Sequence, residues 1–214
     1  MSDETRVTTL EQLVDIVGEP TERAAGKVRD RLDEDDRRWL AAARLCFVAT
    51  SDGEGHLDVS PKGDPAGSLV HVLDDTTIAL AERPGNRRVD GYRNVLLHPR
   101  AGIVFVVPGR SDTLRVNGAA RLVADAPWFD DLAVDGRRPV LALVLDVEEV
   151  FGHCAKSFAR GKVWHPQTWD PFAATDVGST ARARRAAGEP QPARPGSVEE
   201  LEASQLTSYG APLY

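Results

Sequence analysis

The chain is short of the features that mark several protein classes. Its 214 residues hold two cysteines, Cys46 and Cys154, too few for a disulfide scaffold. The longest apolar runs, such as residues 101–107, are far too short to span a bilayer. The Met-Ser-Asp-Glu-Thr-Arg start has no apolar signal core. These absences predict a cytoplasmic protein with reduced thiols and no membrane partner. Positive charge is also in deficit, with 26 Lys+Arg against 33 Asp+Glu and a net charge of -7. General nucleic-acid binding needs a basic footprint, and a membrane-surface role needs a polybasic one, so both are excluded. There is no Walker loop, HExxH, GxSxG or CxxC. His153-Cys154 is one metal-capable pair, and His56, His71, His98 and His165 show no ligand spacing around it, so no metal is expected.

With 42% hydrophobic and 28% charged residues, the chain has the composition of a globular protein, and its length suits one domain with appendages. Residues 1–44 read as a polar helical segment covering the main body. Thr9 and Gln12 suggest a capping box, Leu10, Leu13, Val14 and Val17 share a face, and Gly18 suits a C-cap. A second helical pattern spans 20–32, and a third starts at 33–36 and carries Trp39 and Leu40. From residue 45 the period changes to that of strands: 45–50, 56–60, 68–73, 76–81, 101–107, 113–124 and 139–147. Helical spacing returns at 86–98, 128–133 and 152–160. Strands joined by short turns imply an antiparallel sheet, and one of this length curls into a small barrel. The βαβ rhythm of a doubly wound sheet is missing. The barrel domain is expected over 45–170. Residues 171–196 read as a linker rich in Ala, Pro, Gly and Arg, and 197–214 as a short helix, capped by Ser197, with a tail that suits either docking or fraying.

Three segments carry chemistry. Within 83–93, Arg83, Arg87, Arg88 and Arg93 face only Asp90, and the Pro84-Gly85-Asn86 turn is read as opening a helix, an arrangement that suits a phosphate. Within 153–165, Lys156, Arg160 and Lys162 meet no acidic residue, while Phe158 and Trp164 add flat apolar surface, which suits a planar anion. In Asp58-Val-Ser-Pro-Lys-Gly-Asp64 a strand end runs into a loop whose backbone and Lys62 suit an oxyanion or a ring edge. Each segment would also serve as an ordinary solvated face or loop.

Taken in order, these segments carry a resemblance. Asp58-Val-Ser-Pro-Lys-Gly-Asp64, Arg83-Pro-Gly-Asn-Arg-Arg-Val-Asp90, Pro108-Gly109 with Thr113-Leu-Arg-Val-Asn-Gly118, and His153-Cys-Ala-Lys156 with Trp164 resemble the pyridoxamine 5′-phosphate oxidase-like, FMN-binding split-barrel superfamily over about residues 10–170. More narrowly they resemble its bacterial branch of FMN-dependent enzymes. The resemblance implies a mainly β fold, a six-stranded antiparallel split barrel with flanking helices, and a homodimer with FMN at its interface. It implies that Val59, Ser60, Pro61 and Lys62 line the flavin ring, that Arg83, Asn86 and Arg87 hold the phosphate and ribityl chain, and that His153, Cys154 and Lys156 reach the flavin from the other subunit. The implied activity is that of an FMN-dependent oxidoreductase acting on a small molecule with a separate electron donor or acceptor. The alternative is a flavin or haem carrier or sensor. After Trp164-His165 the spaced arginines and histidine of true pyridoxamine 5′-phosphate oxidases are missing, which argues against that substrate. No residue is singled out as catalytic.

Overall fold

Each N-terminal helix begins where a side chain satisfies the free N–H groups of a first turn. The structure, a computed structural model, describes residues 5–85, 87–173, 179–190 and 195–209. Helix α1 spans Leu10–Val17, with the Gln12 N–H donating to the Thr9 hydroxyl and Gly18 closing it at φ 80°. The Gln12 side chain accepts from the Thr8 N–H, 2.9 Å, one residue earlier than a capping box requires. Helix α2 is the single turn Glu22–Ala25. It stops well short of residue 32 because the chain then runs extended, pairing Arg29 with Val150 through both backbone bonds. Helix α3, Glu34–Ala42, opens on a reciprocal capping box between Asp33 and Asp36. It alone of the three buries residues, among them Leu40. The expected covering role therefore falls to α3, while Leu10, Leu13, Ile16 and Val17 of α1 stay exposed.

The strands are β1 Leu45–Ser51, β2 Leu57–Gly63, β3 Val70–Asp74, β4 Thr77–Glu82, β5 Arg100–Val106, β6 Thr113–Val123 and β7 Leu141–His153. They form one antiparallel sheet in the order β2-β1-β5-β6-β7-β4-β3. The fold is mainly β with flanking helices, as expected, and the seven strand segments read from the period all form, the short β3 riding on β4 beside the six of the implied barrel. A correction lies in β7. Gly152 and His153 belong to this strand, not to a helix, because Val150 and Phe151 keep its pairing with β6 intact to the end.

The sheet curls without closing. The pairing row through Lys62 crosses Cys46, Phe105 and Leu114 to reach Gly152 at one end of β7. Yet Lys62 bonds Glu82, which lies opposite Leu141 at the other end of β7. Only a sheet sheared and coiled into barrel form brings those two residues together. A bulge between Asn117 and Gly118 assists the curl, and a Cβ at Gly118 would lie 1.8 Å from the Asp146 carbonyl oxygen. Ile78, Ile103, Phe105, Val116, Leu143 and Leu145 fill the interior. Helix α4, Asp90–Leu97, packs Tyr92 and Val95 against it from beside β1, β2 and β6.

Beyond the barrel come α5 Lys156–Arg160, α6 Ser179–Ala186 and α7 Val198–Tyr209. Ser197 caps α7 through the Glu200 N–H, 3.2 Å. Within 171–196, where the composition reads as a linker, α6 forms and Ala181 is buried. The tail 210–214 lies outside the described residues. Among the described residues no helix is long and apolar enough to cross a membrane.

Candidate functional site

Strand alternation divides the run from Val59 to Lys62 between two faces. Val59 and Pro61 are exposed on the outer face, alongside Leu57 and, from β1, Phe47. Ser60 and Lys62 turn inward and line a pocket with Val48, Thr50, Arg88, Val89, Gly91, Tyr92 and Leu143. The Lys62 ammonium pairs with the Glu82 carboxylate and lies 4.8 Å from the Tyr92 ring centroid. The Tyr92 hydroxyl donates to the same Glu82 oxygen at 2.6 Å. Burial, and then Glu82, push the Tyr92 hydroxyl far above its ordinary range, so it remains a donor. Cys46, one strand away, is an inert thiol: burial pushes it up to about 12 against a smaller opposing effect of Lys62.

The expected phosphate cradle is reshaped. The Arg83 Nε donates to both Asp64 oxygens, at 3.2 and 2.9 Å, and its Nη2 donates to the Leu132 carbonyl at 2.8 Å and the Ser68 carbonyl at 3.4 Å. Asp64 and Arg83 keep only 2% and 14% of their side-chain surface exposed, so this pair ties β2 to β4 internally. Arg83, expected at the phosphate, thus spends its Nε and Nη2 donors within the protein while still lining the adjoining cleft. Around it lies a cleft of about 190 Å³ lined by Pro61, Lys62, Gly63, Asp64, Ala81, Glu82 and Arg83. Arg88 pairs with Asp90, and Arg93 lies 3.9 Å from it. Arg87 is exposed, has a left-handed φ of 61°, and has no carboxylate partner among the described residues. The helix expected from residue 86 begins only at Asp90, after Val89, which offers no side-chain cap. Asn86 lies outside the described residues.

The second group sits elsewhere. His153 ends β7, and Cys154 and Lys156 follow it, exposed, at the start of α5. The His153 ring lies 5.1 Å from the Phe151 ring. Burial first, then Arg115 and Lys27, hold its pKa below the ordinary 6.5. Phe158 and Trp164 do pack together, with centroids 6.0 Å apart, and the Trp164 indole donates to the Arg110 carbonyl at 2.6 Å. Along the row from Lys62 to Gly152, four strand spacings of ~4.8 Å separate this group from β2, roughly 19 Å. The chain therefore gathers Ser60 and Lys62 with the start of α4, sets Val59 and Pro61 on the opposite face of β2, and holds His153, Cys154 and Lys156 apart from them.

Sequence reasoning missed Glu82, Tyr92 and Asp64 as partners, because their pairing with Lys62 and Arg83 crosses the curl of the barrel. It also missed Lys27 and Arg115. The alternation of 113–118 was a usable signal for Arg115, placing it on the face opposite to Leu114 and Val116. An exposed group of Asp52, Glu54 and His56 also meets in the β1–β2 turn, where Asp52 accepts from the Glu54 and His56 N–H groups and from the His56 ring. These bonds form the turn itself.

A family model described as pyridoxamine 5′-phosphate oxidase matches residues 32–154, from just before α3 to the residue after β7. No curated protein matches the chain. Among solved structures, HupZ of Group A Streptococcus is 21% identical, covering 56% of this chain and 93% of its own, at a TM-score of 0.45. General stress protein 26 from Bacillus anthracis is 11% identical, covering 54% and 88%, at 0.42. A FAD-binding protein from Mesorhizobium loti is 18% identical, covering 58% and 96%, at 0.37.

Proposed function

The chain belongs to the pyridoxamine 5′-phosphate oxidase family, and from that premise we propose that it is an FMN-dependent oxidoreductase acting on a small molecule, with the flavin held at the interface of a homodimer. The observation that carries the reading is the outward face of β1 and β2. Phe47, Leu57 and Val59 are 40%, 80% and 62% exposed there, an apolar strip beside a basic pocket. Such a strip is suited to being covered, and a two-fold partner covers it by using the same surface twice. In such a dimer the partner's His153, Cys154 and Lys156 would complete the first chain's site, uniting two groups that one chain keeps apart.

The residues present fit the flavin's chemistry. A planar ring with a dianionic phosphate needs an apolar wall and clustered cations. Pro61, which lines the cleft with Lys62, supplies a wall, and Val59 would meet the ligand only from the outer face that the partner covers. Arg87 adjoins Arg88 and Val89, which line the pocket with Ser60 and Lys62, and it would hold the phosphate beside the uncapped start of α4. Arg83 would shape the site through Asp64 rather than touch the ligand. FMN, when bound, supplies the redox chemistry. The chain's part is to bind and orient: Glu82 and Tyr92 fix the Lys62 ammonium, whose remaining N–H groups would donate to a nearby ring edge.

The test is the visible spectrum of the purified full-length protein, followed by turnover with reduced nicotinamides and oxygen. Flavin maxima or micromolar FMN affinity, with turnover, are expected. A haem Soret band, or no FMN binding, would sink the reading; flavin without turnover against any donor would make the protein a carrier or sensor. Light scattering should give a dimer, and a monomer that binds FMN tightly would remove His153, Cys154 and Lys156 from the partner's site.

A further inference from the structure

The outer face at the far end of β6 and β7 carries cations with no counter-charge. Arg115 stands directly opposite Phe151, and Thr113 opposite His153, so Arg115, Phe151 and His153 share one face. The Arg115 guanidinium lies 4.3 Å from the Phe151 ring centroid. Pairing of Arg29 with Val150 carries the N-terminal segment across this strand end and sets the Lys27 ammonium 4.9 Å from the same ring centroid. Lys27 donates to the Gly152 carbonyl at 2.9 Å. Among the described residues, no carboxylate is within ion-pairing reach of Arg115 or Lys27. The neighbouring acids are engaged elsewhere: Glu149 accepts from Asn117 at 2.8 Å, and Asp112 pairs with Arg110 at 2.8 Å. The Arg115 Nε is shielded from solvent and has no protein acceptor. Two cations on one ring without a counter-charge are unfavourable, and an oxyanion meeting their exposed N–H groups would relieve that cost. The lowered pKa of His153 registers the same excess of positive charge, after burial.

We propose that Lys27, Arg115 and His153 form an oxyanion subsite with Phe151 as its floor, which takes the carboxylate or phosphate group of a small ligand. Arg115 and Lys27 supply charge and N–H donors, and the His153 imidazole supplies a further polar contact. Identifying that ligand with the enzyme's substrate rests on the flavin reading above, since it places His153 beside the partner's flavin. The subsite itself stands on the cation cluster alone. It restricts the substrate class to small acids or phosphate esters.

The test titrates the full-length protein calorimetrically with inorganic phosphate and, in a separate arm, with benzoate, both at constant ionic strength. FMN affinity is measured in parallel by fluorescence. Saturable binding of at least one oxyanion is expected, and the arm that responds names the group. Arg115→Leu and Lys27→Ala should each weaken that binding by roughly tenfold and leave FMN affinity unchanged. Arg121→Ala, which removes an exposed ion pair with Asp146, should change neither. Lys27 is exposed, so its variant keeps the test decisive even if the Arg115 variant folds poorly. No saturable binding by the wild type, or an unchanged affinity in Lys27→Ala and Arg115→Leu, overturns the proposal. Loss of FMN together with the oxyanion overturns it as well, because the cluster would then be the flavin's own phosphate seat. Oxyanion binding without FMN binding would leave the subsite standing and remove the flavin reading instead.

Discussion

Two basic clusters of this barrel have opposite electrostatic settings. Between β2 and β4, Lys62 meets Glu82 and Arg83 meets Asp64, so each cation is neutralised where it is buried. At the far end of β6 and β7, Arg115 and Lys27 share one aromatic ring and, among the described residues, no carboxylate. The difference separates two uses of a cation. A paired, buried arginine is a tie between elements, and its removal or that of its partner is a stability event. An arginine left with an unmet donor is poised for something outside the chain. Local charge along the sequence does not distinguish the two: four arginines between residues 83 and 93 outnumber one acid, yet three of them meet a carboxylate among the described residues.

The contrast can be broken at its frame, at either cluster, or at a single proton. The largest effect is expected from Gly118→Ala, whose Cβ would meet the Asp146 carbonyl at 1.8 Å and force β6 from β7. Urea unfolding should show a loss of about 3 kcal/mol or more. Asp64→Asn leaves the Arg83 guanidinium buried without its counter-charge, and a loss of about 3 kcal/mol is expected in the same assay. Arg115→Leu, by contrast, should cost less than about 1 kcal/mol, since it removes an unmet donor rather than a partner. Equal losses in the two variants would erase the distinction drawn between the clusters. Tyr92→Phe removes the hydroxyl that donates to Glu82 and should cost about 1 kcal/mol, with the barrel otherwise intact by circular dichroism.

The smallest effect is a pH shift. Burial, then Arg115 and Lys27, lower the folded-state pKa of His153 below 6.5. The unfolded chain therefore takes up the proton first, and the stability tied to neutral His153 is complete above pH 6.5 and lost as pH falls from there through the folded pKa. In NMR titrations Lys27→Ala should move the His153 ring transition upward toward 6.5. A transition that stays in place would show that burial and Arg115 set it without Lys27.

Much of the barrel was legible because alternation and turn residues act locally. The strands from residues 45, 101 and 113 appear with small changes at their ends, and the caps at Thr9 and Ser197 follow from one side chain and one N–H. The 152–160 helix failed in part because Gly152 and His153 are held by partners thirty-eight and forty residues earlier, Leu114 and Thr113. The pairing of Arg83 with Asp64 was not legible because Asp64 reaches it only after the sheet has curled. The sequence by itself determined the elements, the family and which residue types gather in each motif, since these depend on neighbours a few positions apart. The tertiary structure alone decided which cations are neutralised and which are left facing outward, because ion pairing depends on distances of a few ångströms between strands that the barrel's shear, not the chain order, brings together.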